Sequence, residues 1–385
     1  MTGPIRITHL ITDSGTGGAE KILYELVRRL DPERYQSRVI VMKQPGRTAQ
    51  MLVESGVPVL SLKLPARTGA AYFLKMPLAF FKLLRELKSE RPHVLHCWLF
   101  QANLLGRLAA RLTGVPANIS GLRVAEMERT GQYGPDRWSA GLVTRYAAVC
   151  EAVAAHYREK LGLAAERIAV VRNGIDPVPF AEADPGALKR ELGIAEGSRV
   201  IGALGRLHRQ KGLDTLVRAM PALLGRFPDL VLVIAGDGPE RDRLGRLAES
   251  EGVAGSVKFP GEWHRAPEFM AALDVFVLPS RWEGMPNALL EAMAAGVPAV
   301  ASRVGGVAEI MAGGGPGGPV AGETGIMIEP EDARALARAV SALLEDEKRR
   351  TAMGSSARRR ARSEFSLDQM VRGYEALYKS LLETS

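Results

Sequence analysis

Glu283-Gly284-Met285-Pro286-Asn287-Ala288-Leu289-Leu290-Glu291 is the stretch from which the fold of this chain can be read. Just upstream, Val275-Phe276-Val277-Leu278 is a β-branched and aromatic run of strand length. Downstream, Asn287 to Ala295 is apolar nearly all round, which predicts a buried helix. Pro286 suits the first turn of that helix, where its fixed φ fits and its missing N–H would be unpaired anyway. A strand, a turn and a helix in that order make half of a βαβ unit. Gly284 lets a ligand approach the backbone, and first-turn amides with the helix dipole favour an anion there. Glu291 is the one charge on the helix, and a buried carboxylate needs a partner. The two hydroxyls of a ribose would serve. An arginine from elsewhere would satisfy Glu291 alone, and Glu283 alone merely favours a helix start. The pair of acids flanking a Gly-x-Pro helix start favours a ligand.

Outward from this segment the same alternation repeats. Strand-like runs at Ile5–Ile11, Arg38–Met42, Val57–Leu62, Val94–Cys97, Ala117–Ser120 and Ala147–Cys150 alternate with helical patterns. In the second half, Val200–Leu204, Leu230–Ala235, Val257–Phe259, Val275–Leu278 and Ala299–Ser302 do the same. Such alternation predicts parallel sheets with crossover helices, an α/β class. At 385 residues the chain fits two domains rather than one core. Pro177, Pro179, Pro185, Gly186 and Gly197 crowd the expected joint near residues 174–197. The end of the chain, Asp332 to Leu382, reads as helical, and its Arg358, Arg359, Arg360 and Arg362 read as a solvated face. Residues 313–318 form a local glycine-rich loop.

Composition narrows the class. Hydrophobic residues make up 46% and charged residues 24%, the balance of a soluble globular protein. No apolar run reaches the length of a membrane span. The opening residues predict a strand rather than a leader peptide, and two distant cysteines, Cys97 and Cys150, fit a reducing cytosol. Charge is uneven: residues 1–175 carry 25 Lys and Arg against 14 Asp and Glu, while the remainder carries 26 against 29. A basic first half suggests an anionic partner: a phospholipid surface, a lipid phosphate or a nucleic acid. Tyr72 to Lys88 adds a basic amphipathic helix, with Phe73, Leu74, Leu78, Phe81, Leu84 and Leu87 beside Lys75, Lys82, Arg85 and Lys88. Packing that apolar stripe on a sheet would leave only the basic rim for a membrane.

Three further places carry chemistry. After Val200–Leu204 comes Gly205-Arg206, then Lys211-Gly212 opening the next helix. Cations at the C-terminal end of a parallel strand sit where open α/β sheets bind ligands. Arginine can fork onto phosphate oxygens, and lysine supplies a compact charge. No Gly-Lys pair occurs, which excludes a Walker-type loop. Asp13-Ser14-Gly15-Thr16-Gly17-Gly18-Ala19-Glu20 follows the first strand, a glycine-rich turn able to take a diphosphate, although no acid ends the second strand to hold an NAD ribose. His96 ends the fourth strand at the ligand face and is a candidate substrate contact.

Taken together these motifs resemble the retaining glycosyltransferases of family 4, the glycosyl transferases group 1. The resemblance rests on Gly17-Gly18-Ala19-Glu20, Asn173-Gly174-Ile175-Asp176, Gly205-Arg206 with Lys211-Gly212, Gly236-Asp237-Gly238-Pro239, Phe259-x-Gly261, Glu283-x7-Glu291, Gly296-x-Pro298 and Gly305-Gly306-x-x-Glu309, and it spans almost the whole chain. It implies the GT-B fold, two Rossmann-like domains facing each other across a cleft. Residues 1–174 would bind the acceptor and 175–365 the nucleotide-sugar donor, with the last helix, 366–385, crossing back to the first domain. Arg206 and Lys211 would hold the donor diphosphate and, with Glu283, form the catalytic set. Gly205, Gly284, Met285, Pro286 and Asn287 would meet the donor, Glu291 its ribose, and Trp263 and His264 its base. Gly17 and Gly18 would close on the phosphates. One departure stands out: a family histidine after the fifth strand is absent from Asn118-Ile119-Ser120-Gly121-Leu122-Arg123, which makes Arg123 a second candidate substrate contact.

The resemblance implies transfer of a sugar with retention from a nucleotide-diphosphate sugar, UDP ahead of GDP or ADP, to a hydroxyl acceptor in cell-surface polysaccharide or glycolipid synthesis. No Asp-x-Asp motif occurs, so neither a metal nor another cofactor is expected. The expected location is the cytoplasm, peripheral on the inner face of the plasma membrane through contact with anionic lipid. A sugar-nucleotide epimerase on the same fold would need dedicated acid and base side chains. A non-catalytic relative would have lost Glu283, Arg206 or Lys211. A nucleic-acid binder would need a recognition helix or stacking aromatics, and neither is present.

Overall fold

The computed structural model describes residues 3–65, 69–125, 127–128, 130–311, 321–322 and 324–383. The glycine-rich run 313–318 lies outside them. The chain forms two compact units, one of Met1–Asn173 with Leu367–Ser385, the other of Gly174–Ser366. The first alternates β1 (Ile5–Ile11), α1 (Gly18–Val27), β2 (Tyr35–Lys43), α2 (Arg47–Glu54), β3 (Val59–Leu64) and α3 (Ala70–Glu90). It continues through β4 (Val94–Trp98), α4 (Phe100–Thr113), β5 (Ala117–Leu122), α5 (Tyr133–Ser139), β6 (Arg145–Ala148), α6 (Glu151–Leu161) and β7 (Ile168–Val170). All its strands run parallel in the order β3-β2-β1-β4-β5-β6-β7, so the sheet reverses direction between β1 and β4.

The second unit opens with α7 (Val178–Ala181) and α8 (Ala187–Leu192). Then come β8 (Val200–Leu204), α9 (Leu213–Leu224), β9 (Val231–Ala235), α10 (Arg241–Ser250), β10 (Val257–Gly261), α11 (Ala266–Ala271) and β11 (Val275–Leu278). It closes with α12 (Asn287–Ala295), β12 (Ala299–Ser302), α13 (Val307–Met311), β13 (Ala321–Gly322), β14 (Gly325–Ile328), α14 (Ala333–Glu345) and α15 (Glu347–Glu364). The strand order is β10-β9-β8-β11-β12-β14-β13, parallel except for β13 against β14. This sheet reverses between β8 and β11. The final helix, α16 (Leu367–Glu383), belongs to the first unit.

Several expectations need correction. The joint falls between Asn173 and Gly174, at the very start of the expected stretch 174–197, and the prolines and glycines that follow fold within the second unit as α7 and α8, packed on α11 and α12. The strand expected at Ala147–Cys150 is β6, Arg145–Ala148, because Cys150 instead stands at the N-cap of α6. The continuous helical end is three helices. Asp332 and Asp346 cap α14 and α15 by accepting from the amides of Ala335 and Arg349, at 2.8 and 2.9 Å. Nor is the arginine cluster wholly a solvated face. Arg358 donates to Ala295 O at the end of α12, and Arg360 donates to Glu309 O at 3.0 Å.

Hydrophobic burial explains the layering. In the first unit Ile22, Leu23 and Leu26 of α1 and Tyr374 and Tyr378 of α16 cover one face of the sheet. Leu83 and Leu87 of α3 with Ala102 and Ala109 of α4 cover the other. Cys97 and Cys150 are both buried. No helix among the described residues is long and apolar enough to cross a membrane.

The first sheet also buries two histidines side by side: His9 on β1 lies in register with His96 on β4. Trp98 Nε1 donates to His9 Nδ1 at 3.4 Å, so that nitrogen must carry a lone pair. The His96 ring stacks on Trp98 at 4.5 Å between centroids, and its Nδ1 lies 2.9 Å from the Tyr378 hydroxyl of α16. Neither Nε2 finds a partner among the described residues. Burial pushes the His9 pKa down to about 3 and lowers that of His96 well below its usual value, a shift that the neighbouring His9 and Arg123 deepen. Both histidines are therefore neutral when folded but protonate near pH 6.5 when unfolded. The unfolded state binds more protons below that pH, so stability is full above pH 6.5 and falls as pH drops toward 3. Urea unfolding followed by tryptophan fluorescence should show a loss of roughly 2 kcal/mol from His9 between pH 8 and pH 5, with His96 adding to it in the same direction. His9→Asn should reduce that loss, and an unchanged pH dependence in the variant would refute the assignment.

Candidate nucleotide-binding site

The candidate site of the second unit is built where its sheet reverses. In such sheets ligands bind outside the carboxyl ends of the strands at the switch point. A crevice there is lined by Leu204 at the end of β8 with Gly205 and Arg206 after it, Ala235 at the end of β9, Leu278 at the end of β11 with Pro279 after it, and Lys211. Close backbone contacts create it. A β-carbon on Gly236 would lie 1.9 Å from Gly205 O, and one on Gly212 would lie 2.1 Å from Pro279 O. Both glycines also hold positive φ, 139° and 58°. The loops after β8, β9 and β11 thus touch backbone to backbone. Gly236 donates its amide to Gly261 O at 2.7 Å, Gly205 to Ala235 O at 3.0 Å, and Leu207 to Asp237 O at 2.9 Å.

Side chains lock this arrangement. Lys211 Nζ lies 2.6 Å from Glu283 Oε1, and Ser280 Oγ donates to the same oxygen at 2.7 Å. Glu283 is buried, while Lys211 keeps 22% of its side chain exposed at the crevice. Behind them Arg281 forks onto Asp214 at 3.0 and 2.9 Å and reaches Glu331 at 2.7 Å. Hydrogen bonding and charge from Arg281 hold the Asp214 carboxyl below its usual range despite burial. Sequence reading missed Ser280, Arg281 and Asp214, whose importance arises only when the loop after β11 meets the start of α9.

The nine-residue segment behaves much as its pattern implies. Pro286 stands at the N-cap with ψ 116° rather than inside the first turn, and α12 begins at Asn287. Gly306 donates to Gly284 O at 2.8 Å, and a β-carbon on Gly305 would meet Glu283 O at 2.1 Å. Glu291 is buried on α12 and does not line the crevice. Arg206 is exposed, and its guanidinium makes no hydrogen bond or ion pair among the described residues. Trp263 and His264 stand in the loop after β10, where Trp263 Nε1 donates to Arg265 O at 2.9 Å and His264 faces Glu262 at 3.8 Å. The structure thus brings Gly205, Arg206 and Lys211 to one crevice, with Glu283 joined to it through Lys211.

In the first unit, Gly17 is the N-cap of α1, and a β-carbon there would lie 2.3 Å from Glu20 Oε2. Glycine lets the Glu20 carboxylate fold back to the helix start, where burial raises its pKa. Ser14 Oγ accepts from Gly46 N at 2.7 Å and Thr48 Oγ1 donates to Gly15 O at 2.6 Å, tying down the turn that ends in Gly17 and Gly18. His96 is a correction. It is only 1% exposed, enclosed by Trp98, Tyr374 and Tyr378, and has no surface to offer a substrate. Arg123 is partly exposed at the end of β5. It donates to Asn173 Oδ1 at 2.7 Å and to the Tyr374 hydroxyl at 3.4 Å, and lies 5.2 Å from the centre of the Trp98 ring.

Gly212→Ala should lower stability by about 3 kcal/mol or more, since it combines a left-handed backbone with a clash against Pro279 O. Gly245→Ala, in α10 with its nearest contact at 3.5 Å, should raise stability by roughly 0.5–1 kcal/mol. Thermal unfolding of both variants tests whether backbone approach builds the crevice. Equal effects would exclude it.

Residues 186–360 match the family described as Glycosyl transferases group 1, and residues 16–178 match Glycosyltransferase Family 4. The chain is 36% identical over 220 residues to the lipopolysaccharide core biosynthesis mannosyltransferase LpsB of Rhizobium meliloti (strain 1021), a match spanning 55% of this chain and 61% of that one. It is 30% identical over 319 residues to the UDP-Gal:alpha-D-GlcNAc-diphosphoundecaprenol alpha-1,3-galactosyltransferase of Escherichia coli, covering 78% of this chain and 80% of that one. Among solved structures, Anabaena Alr3699/HepE in complex with UDP-glucose shares the fold with a TM-score of 0.82 at 21% identity, over 97% of this chain and 100% of that one. The two doubly wound sheets and these matches make the chain a member of the group 1, family 4 glycosyltransferases, with the GT-B fold.

Proposed function

We propose that this chain transfers a hexosyl group, with retention, from a UDP-sugar to a hydroxyl of a lipid-linked or polysaccharide acceptor at the inner face of a membrane. The observation that carries the reading is the crevice at the β8/β11 reversal, where an exposed Arg206, with no side-chain hydrogen bond or ion pair among the described residues, stands beside Lys211. Two cations at parallel strand ends suit a diphosphate. The relative acting on a diphosphoundecaprenol acceptor and the UDP-glucose complex of the structural neighbour support the donor and acceptor classes. The basic first half, 25 Lys and Arg against 14 Asp and Glu, supports an acceptor held at an anionic surface.

In this reading the bond from the anomeric carbon to the diphosphate oxygen breaks and one to the acceptor oxygen forms. The acceptor proton passes to the departing phosphate on the same face, so the products are a glycoside and UDP. Arg206 and the remaining donors of Lys211 stabilise the charge that grows on the leaving diphosphate. Glu283, held by Ser280, fixes the Lys211 ammonium at the crevice mouth and turns its other oxygen to the sugar. Gly284, Met285, Pro286 and Asn287 take the donor at the start of α12, and Glu291 takes its ribose. Trp263 and His264 line the base, and in the first unit Arg123 meets the acceptor. Arg206 and Lys211 supply the positive charge that a metal would otherwise bring, so the reaction proceeds in EDTA.

Lys211→Ala and Arg206→Ala should each lower the rate of UDP release by about a hundredfold or more while the protein stays folded. UDP should raise the melting temperature of the wild type more than GDP or ADP does, and less in Arg206→Ala. Full turnover in both variants would remove the assignment.

A further inference from the structure

Helix α3 turns toward solvent four of the six apolar residues in its expected stripe, while Leu84 and Leu87 pack inward. Tyr72, Ala79, Leu83 and Leu87 are its buried side chains. Phe73, Leu74, Leu78 and Phe81 are 65%, 81%, 73% and 67% exposed. Leu74, Leu78, Phe81, Arg85 and Lys88 follow one another at spacings of four and three, and Phe73 and Phe81 lie two turns apart, so all six share the outward face. Single exposed apolar side chains are ordinary, but four large ones on one helix face form a patch that water penalises.

Charge indicates what covers it. The two acids of α3, Glu86 and Glu90, both pair with Arg38, at 3.5 and 2.7 Å. Lys82 donates to Ser61 O at 2.8 Å. Lys75, Arg85 and Lys88 are exposed and form no ion pair among the described residues. An apolar patch continued by unmatched cations, its acids neutralised from behind, complements a surface that is apolar beneath and anionic on top. A second copy of this chain would bring the same cations against each other.

We infer that the outward face of α3 docks on an anionic lipid bilayer, with Phe73, Leu74, Leu78 and Phe81 entering the acyl boundary and Lys75, Arg85 and Lys88 at the headgroups. The helix lies in the interface and does not span it. The inference deepens the reading of a membrane-borne acceptor and rests on it for its purpose, although docking and transfer are separable.

The full chain is sedimented with phosphatidylcholine vesicles, with and without phosphatidylglycerol, none carrying a sugar acceptor. Binding is expected to the anionic vesicles, falling with added salt. Leu74→Ser combined with Leu78→Ser should weaken it by about tenfold or more. Arg85→Gln and Lys88→Gln should each weaken it by about fivefold. All four side chains are exposed, so melting temperatures should match the wild type. No binding to anionic vesicles, or wild-type binding by the double serine variant, would overturn the inference. So would a concentration-dependent dimer in sedimentation velocity that the double serine variant abolishes, since the face would then belong to a second copy. Because the readout is bound protein and not UDP release, an inactive but lipid-binding chain would refute the transferase reading alone.

Discussion

Backbone approaching backbone at the carboxyl ends of parallel strands is the constraint on which the second unit depends. Gly236 lies against the carbonyl of Gly205, Gly212 against that of Pro279, and Gly305 against that of Glu283. Each contact leaves no room for a β-carbon. Together they draw the loops after β8, β9, β11 and β12 close enough for short polar side chains to finish the site. The distance from Lys211 to Glu283 is a consequence of that closeness, as is the fork of Arg281 on Asp214. A fold whose strand ends were spread wider would need longer side chains and would position their charges less firmly.

The first unit meets a different constraint, the burial of polar aromatics. His9, His96, Trp98, Tyr374 and Tyr378 form one packed group that joins two strands to the last helix of the chain. Such a cluster is tolerated because the imidazoles shed their charge, and it holds α16 onto the sheet of the first unit. Arg123 stands at its edge with a tyrosine and an asparagine as partners and Glu20 near enough to influence it. The histidine that the sequence placed at the ligand face therefore serves cohesion, and the cation beside it is the group left facing outward.

Much of this was legible from residue order. The strands Val200–Leu204, Val275–Leu278 and Ala299–Ser302 stand where their apolar runs lie, because fully buried parallel strands are short, continuous and β-branched. β7 and β14 escaped notice: Ile168–Val170 is brief and follows charged residues, and Gly325–Ile328 follows a glycine-rich run that looks like loop. Arg206, Lys211 and Glu283 were visible since their neighbours are glycines at strand-to-helix turns, a pattern set by local backbone geometry. Ser280, Arg281 and Asp214 were not, since nothing local distinguishes them.

The amino-acid order by itself determined the α/β alternation, the glycine positions and the residue types at the strand ends, all matters of local conformation and periodicity. Tertiary structure decided which faces point inward. It put His96 in the core, brought Lys211 against Glu283, drew Arg358 and Arg360 onto carbonyls, and left Phe73, Leu74, Leu78 and Phe81 of α3 in water. The physical reason is that periodicity tells how residues share a helix face, whereas which face is covered depends on partners far away in the chain. For α3 those partners are β3 and α4, and they meet the side carrying Tyr72, Leu83 and Leu87.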